Sequence, residues 1–211
     1  MMDLAALRQE YMRAGLRERD LAADPLAQFG AWFDEALRSG VALPNAMALA
    51  TATRQGRPSV RTVLLKGFDA RGFVFYTHYR SRKGRELEEN PRAMLLFCWE
   101  ELERQVGVEG NVSRVSAAES DEYFRSRPLG SRLSAAISPQ SDVVASREAL
   151  EASLEEASKR YRESPPRPEH WGGYRLAPER FEFWQGRKDR LHDRLCYFRA
   201  SGAWKTERLA P

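Results

Sequence analysis

The chain has 211 residues, 42% hydrophobic and 30% charged, with 34 Lys and Arg against 30 Asp and Glu and a net charge of +4. This is the composition of a soluble globular protein with enough chain for one large domain or two small ones, and its basic excess is too mild and too interspersed with acids for a nucleic-acid surface. No apolar run approaches the roughly 18 residues that span a bilayer, residues 1–26 are too charged for a signal peptide, and Cys98 and Cys196 lack CxxC spacing and read as buried thiols suited to a reducing cytoplasm.

In chain order, Leu4, Leu7 and Tyr11 carry helical spacing over residues 3–13, Gly15 stops it, and residues 15–23 read as irregular. Asp24-Pro25 starts a helix, with Leu26, Phe29, Phe33 and Leu37 on its packing face and Gly40 at its end. From Ala46 the period falls to two. Strands are predicted over residues 46–53, 58–66, 73–77, 93–99 and 104–115, with turns at Gln55-Gly56 and between Asp69 and Gly72. Their short connections imply antiparallel pairing in a barrel or sandwich, not a doubly wound sheet.

Between the third and fourth strands, Ser81 caps a short helix that Pro91 ends. Arg82 and Lys83 oppose the helix dipole in its first turn. A bound phosphate explains that cost, and a surface helix with arbitrary charges is the plain alternative. Ser116 and Glu119 form a capping box, and the helix behind it sets Tyr123 and Arg127 four apart on one face before Pro128. With Ser131, at the start of a short helix over 131–137, they suit a second phosphate. Tyr123 as core and Arg127 as a solvated end residue fit the spacing equally. A polar turn, Ser138-Pro139-Gln140-Ser141, a long helix over 146–163 and a stiff Pro-rich linker over 164–168 follow. Strands over 171–176, 180–185, 191–199 and 203–209 complete the chain, the last two joined at Ser201-Gly202.

Arg190, His192 and Arg194 are two apart, so an extended strand would line them on one face, with Leu191 and Leu195 on the other. Trp184, across a short turn, offers a flat apolar platform. The plain reading is a solvated basic face; a basic row beside an aromatic plane also suits a planar, phosphorylated ligand. His78, His170 and His192 form no pair with metal spacing, so no metal is expected. The chain has no GxGxxG fingerprint, no GxxxxGK[ST] loop and no GxSxG elbow, so any catalysis would lean on a cofactor.

Glu182-Phe183-Trp184-Gln185, a four-residue gap and Arg190-Leu191-His192-Asp193-Arg194 resemble the C-terminal signature of the pyridoxine/pyridoxamine 5′-phosphate oxidase family. Arg61-Thr62-Val63-Leu64-Leu65-Lys66, Phe75-Tyr76-Thr77, Ser81-Arg82-Lys83, Glu103-Arg104-Gln105-Val106, Tyr123-Phe124-Arg125-Ser126-Arg127-Pro128, Gln140-Ser141 and Arg208-Leu209-Ala210-Pro211 match in order, from about Leu7 to the end. The resemblance implies a mainly β fold with packing helices, the FMN-binding split β-barrel, as one domain over residues 1–211. It implies a homodimer with FMN at the subunit interface; the cysteines add the expectation of a cytoplasmic place, and the charge pattern and the apolar run lengths that of no nucleic-acid or membrane partner. The implied reaction, in vitamin B6 salvage and biosynthesis, oxidises pyridoxine 5′-phosphate or pyridoxamine 5′-phosphate to pyridoxal 5′-phosphate. O2 is the acceptor, H2O2 is formed, and the amine releases NH3.

Site residues follow from the same resemblance. Arg61, Thr62, Val63, Leu64, Leu65, Lys66, Tyr76, Thr77, Arg82, Lys83, Gln105, Gln140, Ser141, Trp184 and Arg194 would bind FMN. Lys66, Tyr123, Arg127, Ser131, Arg190, Leu191 and His192 would bind substrate, with Arg190 and His192 in the catalytic roles. Imidazole as a side-chain type suits assisting proton loss, which favours His192 for that role, whereas a guanidinium is a better binder than a base, which favours Arg190 as a ligand. Arg8-Gln9-Glu10-Tyr11 resembles a family stretch that covers the substrate. Two phosphates call for two basic sites: Arg61 with Arg82 and Lys83, and Lys66 with Tyr123, Arg127 and Ser131. Arg61 and Lys66 differ by an odd number, which sets them on opposite faces of a flat strand. The rival readings are another split-barrel flavoprotein, flavin reductase-like or deazaflavin-dependent, and a carrier that holds FMN or pyridoxal phosphate without turnover.

Overall fold

A computed structural model describes Tyr11 and residues 15–211. The helix expected over residues 3–13 and the Arg8-Gln9-Glu10 part of the covering stretch lie outside the described residues. The fold is mainly antiparallel β with helices. The described residues form five α-helices, α1 (Pro25–Arg38), α2 (Arg82–Glu89), α3 (Ala117–Ser126), α4 (Leu129–Ile137) and α5 (Arg147–Tyr161). The strands are β1 (Ala46–Ala52), β2 (Pro58–Leu64), β3 (Gly67–Asp69), β4 (Gly72–His78), β5 (Arg92–Trp99), β6 (Arg104–Arg114), β7 (Trp171–Gln185), β8 (Asp193–Ala200) and β9 (Ala203–Leu209). Along the sheet the order is β2-β1-β5-β6-β7-β4-β3, with β8 pairing β7 and β9. The described residues form two compact units: those up to Leu49 with Met94–Gly110 and Pro178–Pro211 in one, Ala50–Ala93 and Asn111–Ala177 in the other.

In the first unit, the Asp24 side chain accepts from the Leu26 N–H and starts α1. The buried face of α1 is Gln28, Phe29, Trp32 and Ala36, and Leu37 is 55% exposed, contrary to expectation. The indole explains the rotation. Trp32 meets the Phe183 ring edge-on at 5.2 Å and carries the Arg104 guanidinium 4.3 Å above it. Cys196 is buried but Cys98 is exposed. Strand alternation accounts for this: on β5 the side chains of Leu95, Phe97 and Trp99 are buried, so Cys98 faces the other way. In the β8–β9 hairpin Ser201 and Gly202 both have positive φ, 51° and 82°, as a two-residue type I′ turn requires.

The end of β7 and the start of β8 depart from the predicted pattern. Residues 171–185 are one strand, not two. Its pairing with β4 ends at Leu176 and its pairing with β8 begins at Arg180, so Pro178 falls where β7 exchanges these partners and its missing N–H is tolerated. The strand predicted from Leu191 begins at Asp193. Lys188–Arg190 form a 3-10 turn in which Asp189 and Arg190 have φ of 57° and 60°. Two left-handed residues end the extended chain, so Arg190, His192 and Arg194 share no strand face. Leu191 is 70% exposed and Leu195 is buried, so these two do not point together either.

In the second unit, β4 pairs with the first half of β7, from Phe73 opposite Leu176 to His78 opposite Trp171. β3, unforeseen because it is three residues long, pairs with β4 across a tight turn. Ser81 caps α2 by accepting from the Gly84 N–H, and a Cβ on Gly84 would stand 1.9 Å from the Tyr79 carbonyl oxygen. Only glycine lets α2 start this close to the end of β4. Ser116 caps α3 by accepting from the Glu119 N–H. α3 stops at Ser126, and Arg127 is extended, with φ −75° and ψ 147°. Tyr123 and Arg127 therefore do not share a helix face, because Pro128 disfavours helical backbone in the residue before it.

Among the described residues no helix is long and apolar enough to cross a membrane, and no three His, Cys, Asp or Glu are grouped to hold a metal ion.

Candidate functional site

The second unit holds a cavity of about 530 Å³, within the range of small-molecule sites. β2 and the turn after it contribute Arg61, Thr62, Val63, Leu64 and Lys66, and the end of β4 contributes Tyr76, Thr77 and His78. Lys83 enters from the first turn of α2, and Tyr123, Ser126, Arg127, Pro128 and Ser131 from α3 and α4, with Gln140 and Trp171. A side chamber of about 180 Å³ shares Arg127, Ser131 and Gln140 and adds the hydroxyls of Ser134 and Ser138.

Cations dominate this lining. Lys83 is buried, and its Nζ donates to Gln140 Oε1 at 2.9 Å, Thr77 Oγ1 at 3.2 Å and Ser81 Oγ at 3.4 Å, all neutral oxygens. Burial, helped by the nearby Arg61 charge, pulls its ammonium down to about 8. Arg61 Nη1 donates to Thr51 Oγ1 at 2.7 Å and Nη2 to Ser59 Oγ. The Arg127 guanidinium lies 4.6 Å over the Trp171 ring, and its Nη1 is buried with no hydrogen-bond partner among the described residues. An unspent buried N–H is costly, and an anion would satisfy it.

The Trp171 ring under Arg127 belongs to a near-parallel set of three. Tyr76 and Tyr123 are stacked at 3.9 Å, Tyr76 and Trp171 at 5.6 Å, and Lys66 Nζ stands 6.0 Å from the Tyr123 ring centre. His78 is buried, 4.2 Å from the His170 ring, and its Nδ1 accepts from the Arg80 N–H. Burial first, and then His170, hold His78 down to about 4, so it is neutral at physiological pH.

The expectation that Arg61 and Lys66 face opposite sides is not met: both line one cavity. β2 ends at Leu64, and the chain turns through Leu65 and Lys66 into β3, so odd spacing no longer reverses direction. Leu65, Arg82 and Ser141 do not line this cavity. Leu65 is core, Arg82 is half-exposed and ion-paired to Glu86 at 2.9 Å, and Ser141 is exposed with φ 78°. Sequence reasoning missed Trp171, His78 and Glu86. Trp171 had one usable signal, a large aromatic opening a strand directly after a Pro-rich linker. Glu86 had another, its i,i+4 spacing from Arg82.

The first unit holds a smaller pocket of about 170 Å³, where Gln105 and Trp184 meet Tyr11, Cys98, Glu103 and Arg104. The His192 ring is 4.7 Å from Trp184, and Tyr11 meets both rings edge-on at 5.6 Å. His192 Nδ1 accepts from the Arg187 N–H at 3.1 Å. A backbone N–H can only donate, so the neutral ring carries its proton on Nε2. Arg194 Nε donates to Glu182 Oε1 at 2.7 Å and Nη1 to the Ala210 carbonyl at 3.0 Å. Arg190 and Leu191 are exposed.

Residues 33–161 match a family profile described as pyridoxamine 5′-phosphate oxidase, and residues 171–211 match the pyridoxine 5′-phosphate oxidase C-terminal dimerisation region. A pyridoxine/pyridoxamine 5′-phosphate oxidase from Rubrobacter xylanophilus is 61% identical over 210 residues, covering 99% of this chain and 97% of its own length. One of the same name from Burkholderia lata is 58% identical over 214 residues, covering 100% of both. Among solved structures, PhzG from Burkholderia lata 383, in complex with tetrahydrophenazine-1-carboxylic acid, has a TM-score of 0.88 at 38% identity, over 92% of this chain and 95% of that one. A pyridoxamine 5′-phosphate oxidase-related, FMN-binding protein from Nostoc punctiforme has a TM-score of 0.72 at 19% identity, over 90% and 100%, a likeness of fold alone. With the strand order, these likenesses make the fold the split β-barrel expected from the sequence.

Proposed function

Because the chain belongs to the pyridoxine/pyridoxamine 5′-phosphate oxidase family, we propose that it is an FMN-dependent oxidase converting pyridoxine 5′-phosphate or pyridoxamine 5′-phosphate to pyridoxal 5′-phosphate, with O2 as acceptor. One observation carries the choice of a phosphorylated substrate: Arg127, stacked on Trp171, keeps a buried N–H without a partner among the described residues. A phosphate oxygen is the acceptor that such a group suits.

The residues present fit FMN. The ammonium of Lys83 and the guanidinium of Arg61 offer two cations to a dianionic phosphate, and Thr77 and Gln140 are already hydrogen-bonded around Lys83. Residues 61–66, Tyr76, Thr77, Arg82, Lys83, Gln105, Gln140, Ser141, Trp184 and Arg194 would hold it. When bound, FMN supplies the hydride acceptor that the side chains lack and passes the electrons on to O2. Lys66, Tyr123, Arg127 and Ser131 bind the substrate phosphate, and Arg190, Leu191 and His192 orient its ring. The tautomer of His192 suits a hydrogen-bond donor at Nε2 better than a proton acceptor. Arg190 binds through its planar guanidinium donors. The match to the dimerisation region supports a homodimer; in this reading FMN lies at the subunit interface and each chain works as one domain. Two free cysteines suit a cytoplasmic place in vitamin B6 salvage.

The likeness to PhzG favours a second reading, an oxidase of a carboxylated polycycle. Purified protein reconstituted with FMN and given pyridoxine 5′-phosphate, pyridoxamine 5′-phosphate, unphosphorylated pyridoxine or tetrahydrophenazine-1-carboxylic acid under air separates the two. H2O2 and an aldehyde with the phosphorylated vitamers alone are expected. Peroxide only with the polycycle would establish the second reading, and FMN binding without turnover would leave a carrier.

A further inference from the structure

Next to the Arg61 side of the cavity is a carboxylate that lines no part of it. Glu86, on α2, is 4% exposed. Its Oε1 accepts from Arg82 Nε at 2.9 Å, and its Oε2 accepts from the hydroxyls of Thr51 and Ser59 and lies 3.4 Å from Arg61 Nη2. Those hydroxyls in turn accept from the same guanidinium, Thr51 from Nη1 and Ser59 from Nη2. Arg61 is thus tied to the carboxylate directly and through two relays, each hydroxyl accepting from the guanidinium and giving its one proton to the carboxylate, with the two hydroxyl oxygens 3.3 Å apart. Donors from β1, β2 and α2 converge on this one side chain.

We propose that Glu86 is a positioning residue for the cofactor phosphate: it holds Arg61 and Arg82 in a fixed array, so that phosphate affinity depends on a side chain that never meets the ligand. The proposal rests on the FMN reading above. An arginine ordered before the ligand arrives loses less freedom on binding it. The competing role is charge balance among Arg61, Arg82 and Lys83, and the two roles differ in sign. If Glu86 only offsets charge, neutralising it tightens phosphate binding; if it positions, neutralising it weakens binding. Glutamine cannot replace it as an anchor. A carboxylate only accepts, whereas either orientation of the amide turns an N–H toward a guanidinium and releases one arginine.

The test is titration of full-length apoprotein with FMN and with riboflavin, followed by flavin fluorescence, since the ratio of the two dissociation constants isolates the phosphate. In Glu86→Gln the FMN dissociation constant should rise about tenfold, the scale of one hydrogen bond to a charged group, while that for riboflavin stays within about twofold. In an Arg61→Ala background the same exchange should cost less, because one of its two tethers is already gone. An unchanged or stronger preference for FMN in Glu86→Gln overturns the proposal, and so does an equal loss for both flavins, which marks general loosening. If Glu86→Gln does not fold, Ser59→Ala cuts one relay while keeping the carboxylate, and should weaken FMN alone by about threefold; no selective loss there overturns the proposal as well. A wild-type protein without preference for FMN over riboflavin sinks the FMN reading itself.

Discussion

Arg127 and His192 show how far a single side chain's surroundings constrain its work. Arg127→Ala should raise KM for the phosphorylated substrate by about tenfold to a hundredfold, the range for losing a charge-assisted bond, while FMN affinity is unchanged. Arg127→Lys should recover little of this, because an ammonium cannot lie flat on Trp171 as the guanidinium does. Steady-state kinetics beside a flavin titration checks both. For His192, the proton on Nε2 predicts that His192→Gln, which keeps an N–H near that position, retains more activity than His192→Glu, which offers only acceptors; the reverse order of kcat would favour a base. His78 gives a pH signature. Its folded pKa is about 4 against an ordinary 6.5, so the unfolded chain takes up its proton first and stability falls as pH drops from about 6.5 to 4. For Glu86, burial alone would raise the carboxyl, but hydrogen bonds from Ser59, Thr51 and Arg82 bring it down to about 2. Its stabilisation is therefore complete above about 4.5 and lost as pH falls toward 2. Melting temperature against pH should show both losses in the wild type, and His78→Gln should flatten only the upper one.

At the scale of elements, the first turn of α2 is the critical placement. A methyl on Gly84 meets the Tyr79 carbonyl, so Gly84→Ala should push α2 away from β4, cost on the order of 2 kcal/mol by denaturant titration and weaken FMN with it. That helix was legible in the sequence because its signals are local: a serine cap, a proline stop and cations at the wrong end of a dipole. So were most strands, because alternation is written residue by residue. The misreadings came where distant partners decide. Pro178 looked like a break, but β7 continues through it while changing partners. Arg190 and His192 looked like strand residues, but two left-handed residues precede β8, and spacing alone does not reveal a positive φ at arginine. The one-face pairing of Tyr123 with Arg127 failed on a local rule that was available, the effect of Pro128 on the residue before it. Of the cavity residues, Lys83, Tyr123, Arg127 and Ser131 were candidates on local chemistry, while Arg61, Lys66, Tyr76, Thr77 and Gln140 came from the family resemblance; the signals at Trp171 and Glu86 gained meaning only when the fold brought them to Arg127 and Arg61.

For the molecule as a whole, the dimerisation-region match predicts that light scattering after gel filtration gives twice the 24.1 kDa chain mass. A monomer that stays FMN-replete would contradict FMN at the subunit interface. The unequal burial of the two thiols has a practical consequence. Cys98 is exposed, whereas Cys196 is 0% exposed on β8. An alkylating reagent should therefore attach one label per folded chain and a second only when β8 opens. Intact-mass spectra sampled over time then become a clock for opening of the C-terminal hairpin, read without flavin colour or turnover.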